Sequence, residues 1–142
     1  MRKGRRKVQK ILILHSPDKK VVQVAEGIKK GAESSGHRVD MIAASGAGGR
    51  DISFHVYDLV IVGSEKKGLI KGRPPQVMGE TFSRCKRTVG QESMAFLKPS
   101  LFGNTRALRE LMNEMEKQGI VVRDFATLKS SEEGEEFGRG KI

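Results

Sequence analysis

Nine polar residues in this chain are candidates for binding an anion, because hydroxyl, ammonium and amide groups are hydrogen-bond donors. Some of them come directly after two apolar runs of the sequence. The others lie in the segment "KPSLFGNT", which leads into a predicted helix whose first N–H groups attract negative charge. The nine residues are Ser16, Lys19, Lys20, Ser64, Lys66, Lys67, Lys98, Ser100 and Asn104.

Catalytic and metal chemistry have weaker support in the sequence. His15 ends the first apolar run and could act as an acid or base, but no nucleophile or carboxylate is paired with it by spacing. His37 and His55 lie near turns, away from metal-ligand spacing, and we expect both to face solvent. The sequence therefore predicts no catalytic residue and no metal site.

The elements that position the nine residues alternate between strand and helix. Asp18 is available to cap a first helix, Pro74 and Pro75 suit the opening of a second, and Ser130 with Glu133 predicts a capping box before a last short one. Another helix is marked by apolar residues at helical spacing from Leu108 to Met115. The predicted strands are Val8–Leu14, Arg38–Ala43, Tyr57–Gly63, Ser93–Leu97 and Ile120–Phe125.

This alternation predicts a three-layer α/β sandwich around a five-stranded parallel sheet. The segment "SGAGGR", residues 45–50, is too rich in glycine for a regular element and is predicted to be a flexible connection. Cys85, the single cysteine, is predicted to be an apolar core residue on the second helix, beside Met78 and Phe82. One cysteine excludes an intramolecular disulfide and is typical of a reducing cytoplasm.

Length and charge suggest one domain with a basic tail. A chain of 142 residues is long enough for a proper core, so we assign residues 8–142 to a single domain and residues 1–7 to a mobile tail. The net charge of +10 favours anionic partners, and much of it lies in the first ten residues. The apolar runs are too short to span a membrane, and we expected no membrane partner.

The order of the motifs resembles the flavodoxin family from Val8 to about Phe137. The resemblance is carried by "ILILHS" with "VAEGIKKGAESSGHRVDMI", by "YDLVIVGS" and by "LFGNTRALRELMNEMEKQGIVV". It implies a sheet of strand order 2-1-3-4-5, with the ligand crevice at the carboxyl ends of strands one and three. In that family the crevice holds FMN.

The loop after the first strand departs from the family's pattern. Flavodoxins wrap the FMN phosphate with a loop close to S/T-x-T-G-x-T, whereas this chain reads "SPDKKV" at residues 16–21, and only Ser16 matches. Pro17 removes an N–H donor, and Asp18 places a negative charge where a phosphate would sit. The family also stacks the flavin ring between aromatic residues, but this chain has no Trp and its one Tyr begins the third strand.

Three functions are compatible with these residues. The first is a non-enzymatic binding or interaction module that has lost tight FMN binding, holds no cofactor, and accepts an anionic ligand or a protein partner. The second is an FMN-binding electron-transfer protein with an atypical phosphate loop, in which lysine charge replaces the hydroxyl cradle. The third is a protein that binds polyanions such as nucleic acid through its basic N-terminus, a function that rests on charge alone.

The third function makes a prediction about salt. If the chain binds heparin, the affinity should fall steeply and log-linearly with added salt, because each phosphate or sulfate contact releases counterions. Deleting residues 1–7 should weaken that binding by about tenfold or more, measured by elution from a heparin column and by anisotropy of a labelled oligonucleotide. Binding that is independent of salt, or unchanged by the deletion, would exclude the tail as the binding element.

Overall fold

The computed structural model describes residues 7–46, 48–66 and 75–142. Within them, seven strands and four helices follow the order β1 Lys10–His15, α1 Lys19–Ser34, β2 Arg38–Ala43, β3 Ile52–Ser53, β4 Leu59–Glu65, α2 Gln76–Phe82, β5 Cys85–Lys86, β6 Glu92–Lys98, α3 Asn104–Lys117, β7 Val121–Thr127 and α4 Ser131–Lys141.

The main sheet contains five parallel strands in the order β2-β1-β4-β6-β7. Counted over these five strands alone, the order is the predicted 2-1-3-4-5, so the predicted fold is confirmed. The predicted tail, residues 1–7, lies outside the described residues except for Lys7.

Both faces of the sheet are covered, which is why its central strands are apolar along their whole length. Leu12 and Leu14 of β1 belong to the core beneath α2 and α3, whereas Ile11 and Ile13 belong to the core beneath α1 and α4. All four side chains are fully buried. Alternate side chains of the strand therefore belong to two separate cores, one on each face of the sheet, and the fold is a three-layer sandwich.

A small parallel sheet of β3 and β5, which was not predicted, lies beside the main one. Each strand has two residues, too few for a periodic pattern. Cys85 was wrongly placed on the second helix: α2 ends at Phe82, and Cys85 lies on β5. It is buried as expected, and burial raises the pKa of its thiol to about 11, so little reactive thiolate forms at neutral pH.

Arg84, between α2 and β5, holds the glycine-rich connection. Its guanidinium donates to the carbonyl oxygens of Ser45, at 2.8 Å, and Arg50, at 3.2 Å. The described part of residues 45–50 contains no helix or strand, as predicted. These bonds explain how a segment without regular structure is positioned against the second helix.

The prediction that His37 faces solvent was wrong. Only 5% of His37 is exposed, and its Nδ1 accepts the N–H of Gln9 at 3.0 Å. Gln9 immediately precedes β1 and lies beside His37, which immediately precedes β2, and this long-range contact has no local signal in the sequence. His55 is exposed, as predicted.

Helices α1 and α4 pack backbone to backbone through glycines. A Cβ atom on Gly31 would lie 2.0 Å from the carbonyl oxygen of Glu135, and one on Gly138 would lie 2.3 Å from that of Ile28. Gly27 and Gly134 are equally close to the partner helix. The four glycines, spaced four residues apart on each helix, therefore allow an approach that no other residue permits.

None of the helices in the described part of the chain is both long and apolar enough to cross a membrane.

The close contact between helices predicts a contrast between two glycines of α4. Gly138→Ala should lower the free energy of unfolding by about 1–3 kcal/mol, because the new methyl group overlaps the backbone of α1. Gly140→Ala is the matched control, since a Cβ atom there meets nothing within 4 Å and alanine is the better helix former. Urea denaturation measures both, and equal midpoints for the two variants would show that the close approach does not exist.

Candidate functional site

The candidate site lies at the edge of the sheet where β1, β4 and β6 end, which we call the C-terminal edge. His15 is in register with Gly63 across β1 and β4, and Glu65 is in register with Lys98 across β4 and β6. Helix α1 begins four residues after β1, and α3 begins six residues after β6. The topology therefore brings the loops that carry the predicted anion-binding residues to one edge.

The start of α1 is occupied by the chain's own carboxylate. Asp18 is the N-cap residue, and its Oδ2 accepts the N–H of Lys20 at 3.1 Å and the N–H of Val21 at 3.2 Å. These first-turn N–H groups are the donors that a helix N-terminus offers to a phosphate. An incoming phosphate would have to displace the Asp18 carboxylate to use them.

Ser16, the one residue that matches the flavodoxin pattern, is also hydrogen-bonded within the chain. Its side chain is fully buried, and its hydroxyl donates to Glu65 Oε1 at 2.5 Å. The Ser16 Oγ in turn accepts the N–H of Asp18 in a long bond of 3.4 Å. Ser64 is fully buried as well, and its hydroxyl donates to the carbonyl oxygen of Glu65 at 3.0 Å.

Glu65 was not singled out in the sequence, yet it connects the two predicted serines. Its carboxylate lies 2.5 Å from the hydroxyl of Ser16 and 3.4 Å from that of Ser64. The signal available was its position directly after Ser64 at the end of an apolar strand. Asp18 and Glu65 thus place two carboxylates where a phosphate-binding loop would present donors.

The loop between β6 and α3, residues 99–103, is held by its own hydrogen bonds. The Asn104 side chain accepts the N–H of Ser100 at 2.8 Å and donates to the Ser100 carbonyl oxygen at 2.7 Å. Gly103 adopts the left-handed conformation (φ 73°) as the N-cap of α3. Ser100 and Asn104 therefore shape this loop, and their bonding groups are already engaged with each other.

The predicted lysines surround these groups. Lys19 and Lys20 are exposed, and Lys66 and Lys98 are half-buried. The Lys66 ammonium donates to the carbonyl oxygen of Phe102 and so connects the loops after β4 and β6. The Lys98 ammonium lies 3.3 Å from the carbonyl oxygen of Pro99. Lys67 lies outside the described residues.

We considered only Trp and Tyr as residues that could stack on a ligand at this edge, and so we missed Phe102. Tyr57 precedes β4 and so lies at the opposite edge, where its hydroxyl donates to Asp40 at 2.7 Å. Phe102, in contrast, lies in the loop after β6 and is 68% exposed. A ring at this position is available to stack on a flat ligand.

His15 is the residue of this edge that was considered as an acid or base. His15 is buried, and its Nδ1 donates to the carbonyl oxygen of its neighbour Ser16 at 2.8 Å. No group of three or more His, Cys, Asp or Glu residues within the described ranges is suited to hold a metal ion. The described residues of this edge combine lysine charge, an exposed ring and a hydrogen-bonded loop.

The capping role of Asp18 predicts a difference between two substitutions. Asp18→Ala should lower the free energy of unfolding by about 0.5–2 kcal/mol, because two first-turn N–H groups lose their acceptor. Asp18→Asn should stay within a few tenths of a kcal/mol of the parent, since asparagine caps helices about as well. Urea denaturation distinguishes them, and an Asp18→Ala protein as stable as the parent would contradict the cap.

Comparison with known proteins shows similarity in structure and not in sequence. No family model matches the chain, and no curated protein sequence is significantly similar to it. An oxidised flavodoxin from Bacillus cereus superposes with a TM-score of 0.68 at 15% identity, covering 91% of this chain and 94% of the other.

Two further flavodoxins have structures similar to that of this chain. A flavodoxin from the domain Archaea gives a TM-score of 0.66 at 18% identity, with 92% of this chain and 94% of the other covered. A Streptococcus pneumonia flavodoxin gives 0.67 at 13% identity, with coverages of 94% and 99%. At these identities the likeness concerns the fold, and the chain has a flavodoxin-like fold over nearly its whole length.

Proposed function

We propose that this flavodoxin-like domain is a non-enzymatic binding or interaction module that does not hold FMN by its phosphate. The observation that carries the proposal is the Asp18 carboxylate, which accepts the N–H groups of Lys20 and Val21. The exposed lysines of the C-terminal edge suit an anionic ligand or an acidic protein partner. The single cysteine favours a cytoplasmic location.

An FMN phosphate would find three of the protein's hydrogen-bond donors already bonded within the chain. The N–H groups of Lys20 and Val21 and the Ser16 hydroxyl already have acceptors within the chain. A hydrogen bond to a charged group contributes about 1.5–3 kcal/mol, so three missing donors correspond to at least a thousandfold in affinity. The carboxylates of Asp18 and Glu65 would also repel a phosphate, and exposed lysines would offset this only weakly, because solvent screens them.

FMN-binding electron transfer is the second candidate function. The structural comparisons favour it more directly than they favour a loss of FMN, because the similar structures are flavodoxins. Phe102 adds a specific observation, since it provides an exposed ring in the loop after β6. Under this alternative, FMN displaces Asp18 from the helix terminus and draws on Lys19, Lys20 and the ring.

Riboflavin, which is FMN without its phosphate, separates the two candidates. We expect the purified protein to be colourless, and we expect calorimetry and flavin fluorescence to give weak binding that is no tighter for FMN than for riboflavin. This order follows because the phosphate finds no cradle and faces the carboxylates of Asp18 and Glu65. Submicromolar FMN binding, much tighter than that of riboflavin, would overturn the proposal and establish the electron-transfer candidate.

A matched pair of variants tests the role assigned to Asp18. Asp18→Asn removes a negative charge from the phosphate position while keeping the cap, and should strengthen FMN binding several-fold without changing riboflavin binding. Glu26→Gln removes one charge from an exposed position further along α1 and should leave both affinities unchanged. If both variants changed the affinity for FMN equally, Asp18 would act only through the net charge of the protein.

A further inference from the structure

Two neighbouring apolar side chains project from the C-terminal edge into solvent. Leu101 is 89% exposed and Phe102 is 68% exposed, and both lie in the loop between β6 and α3. Single exposed apolar residues are common, but adjacent large ones on a protruding loop are typical of an interaction site. We call this pair the apolar tip.

The apolar tip is held in place and does not fold back on the domain. Asn104 closes the loop through both bonds to Ser100, and the Ser100 hydroxyl lies 3.4 Å from the carbonyl oxygen of Phe102. Lys66 donates to the same carbonyl oxygen from the neighbouring loop. The backbone is thus fixed while both side chains remain in water, and docking would require little further ordering.

The charges around the apolar tip are positive. Lys66 contacts the loop, Lys98 precedes it, and Lys19 and Lys20 lie at the start of α1 on the same edge. The carboxylates of Asp18 and Glu65 are bonded within the chain. Among these six described residues the four ammonium groups outnumber the two carboxylates, so together they carry a net positive charge.

We propose that the apolar tip docks on an anionic lipid surface, with Leu101 and Phe102 entering the interface and the lysines facing the headgroups. Lysine is a point charge without the bidentate fork by which arginine grips a defined carboxylate, so these residues suit diffuse charge better than a shaped acidic partner. Arg106, in the first turn of α3, lines a groove that also contains Glu110 and Glu114. Two inserted side chains and a few lysines give weak, reversible binding.

Docking of this kind needs no membrane-spanning element. Our expectation that the chain has no membrane partner was based on the length of its apolar runs, which bears on spanning segments alone. Peripheral docking depends on exposed residues of a loop, and so it requires that Phe102 is not covered by FMN.

Single tryptophan substitutions test which edge of the protein enters the lipid interface, because the chain itself contains no Trp. Phe102→Trp should show a blue-shifted emission with vesicles of phosphatidylcholine and phosphatidylglycerol, and little shift with phosphatidylcholine alone. Val8→Trp is the control, since Val8 is exposed and precedes β1 at the opposite edge, next to the basic N-terminal residues. A shift in the control equal to that at position 102, or no shift at position 102, would overturn the proposal.

Removing the apolar tip tests its contribution in the full chain. Leu101→Ser combined with Phe102→Ser should reduce binding to the anionic vesicles by about tenfold or more in a sedimentation assay, whereas Val8→Ser should not. Circular dichroism checks that each variant is folded. Undiminished binding by the double variant, or equal binding of the parent chain to uncharged vesicles, would contradict the proposal.

Discussion

The position of helix α1 is the constraint on which both the fold and the site depend. Its first turn is held by the Asp18 carboxylate, its buried stripe covers one face of the sheet, and its glycines admit α4 to backbone contact. Helix α4 has a small apolar face, so its docking depends on an approach that any larger side chain on α1 would prevent. The same helix thus connects the stability of one layer of the sandwich to the chemistry of the C-terminal edge.

A flavodoxin-like fold does not by itself determine what this edge binds, because function depends on the side chains placed there. The strands end where a ligand crevice is expected, but the groups that would cradle a phosphate are satisfied within the chain. Asp18 accepts the helix N–H groups, and Glu65 accepts the hydroxyl of Ser16. Because these three donors already have acceptors, a new anion gains little from them unless it displaces a carboxylate.

The five long strands and their order could be predicted because buried parallel strands are apolar and alternate with helices, as Ile11–Leu14 and Leu59–Val62 do. The Asp18 cap and the Ser130 cap were also visible, since they depend on local spacing. Other features had no local signal. The burial of His37 depends on a segment 28 residues away, and the bridging role of Glu65 depends on a hydroxyl 49 residues away. Phe102 was visible in the sequence, but its exposure followed only from the conformation of its loop.

The Asp18 carboxylate occupies the start of α1, and the amide resonances of Lys20 and Val21 report on it directly. Two-dimensional ¹H–¹⁵N spectra should be recorded during titration with inorganic phosphate and with FMN at neutral pH. We predict that both resonances stay in place while any changes concentrate at the β6–α3 loop. In the Asp18→Ala variant, where these two N–H groups have lost their acceptor, phosphate should instead produce saturable shifts of both amides. Saturable shifts in the unaltered chain would by themselves contradict the account.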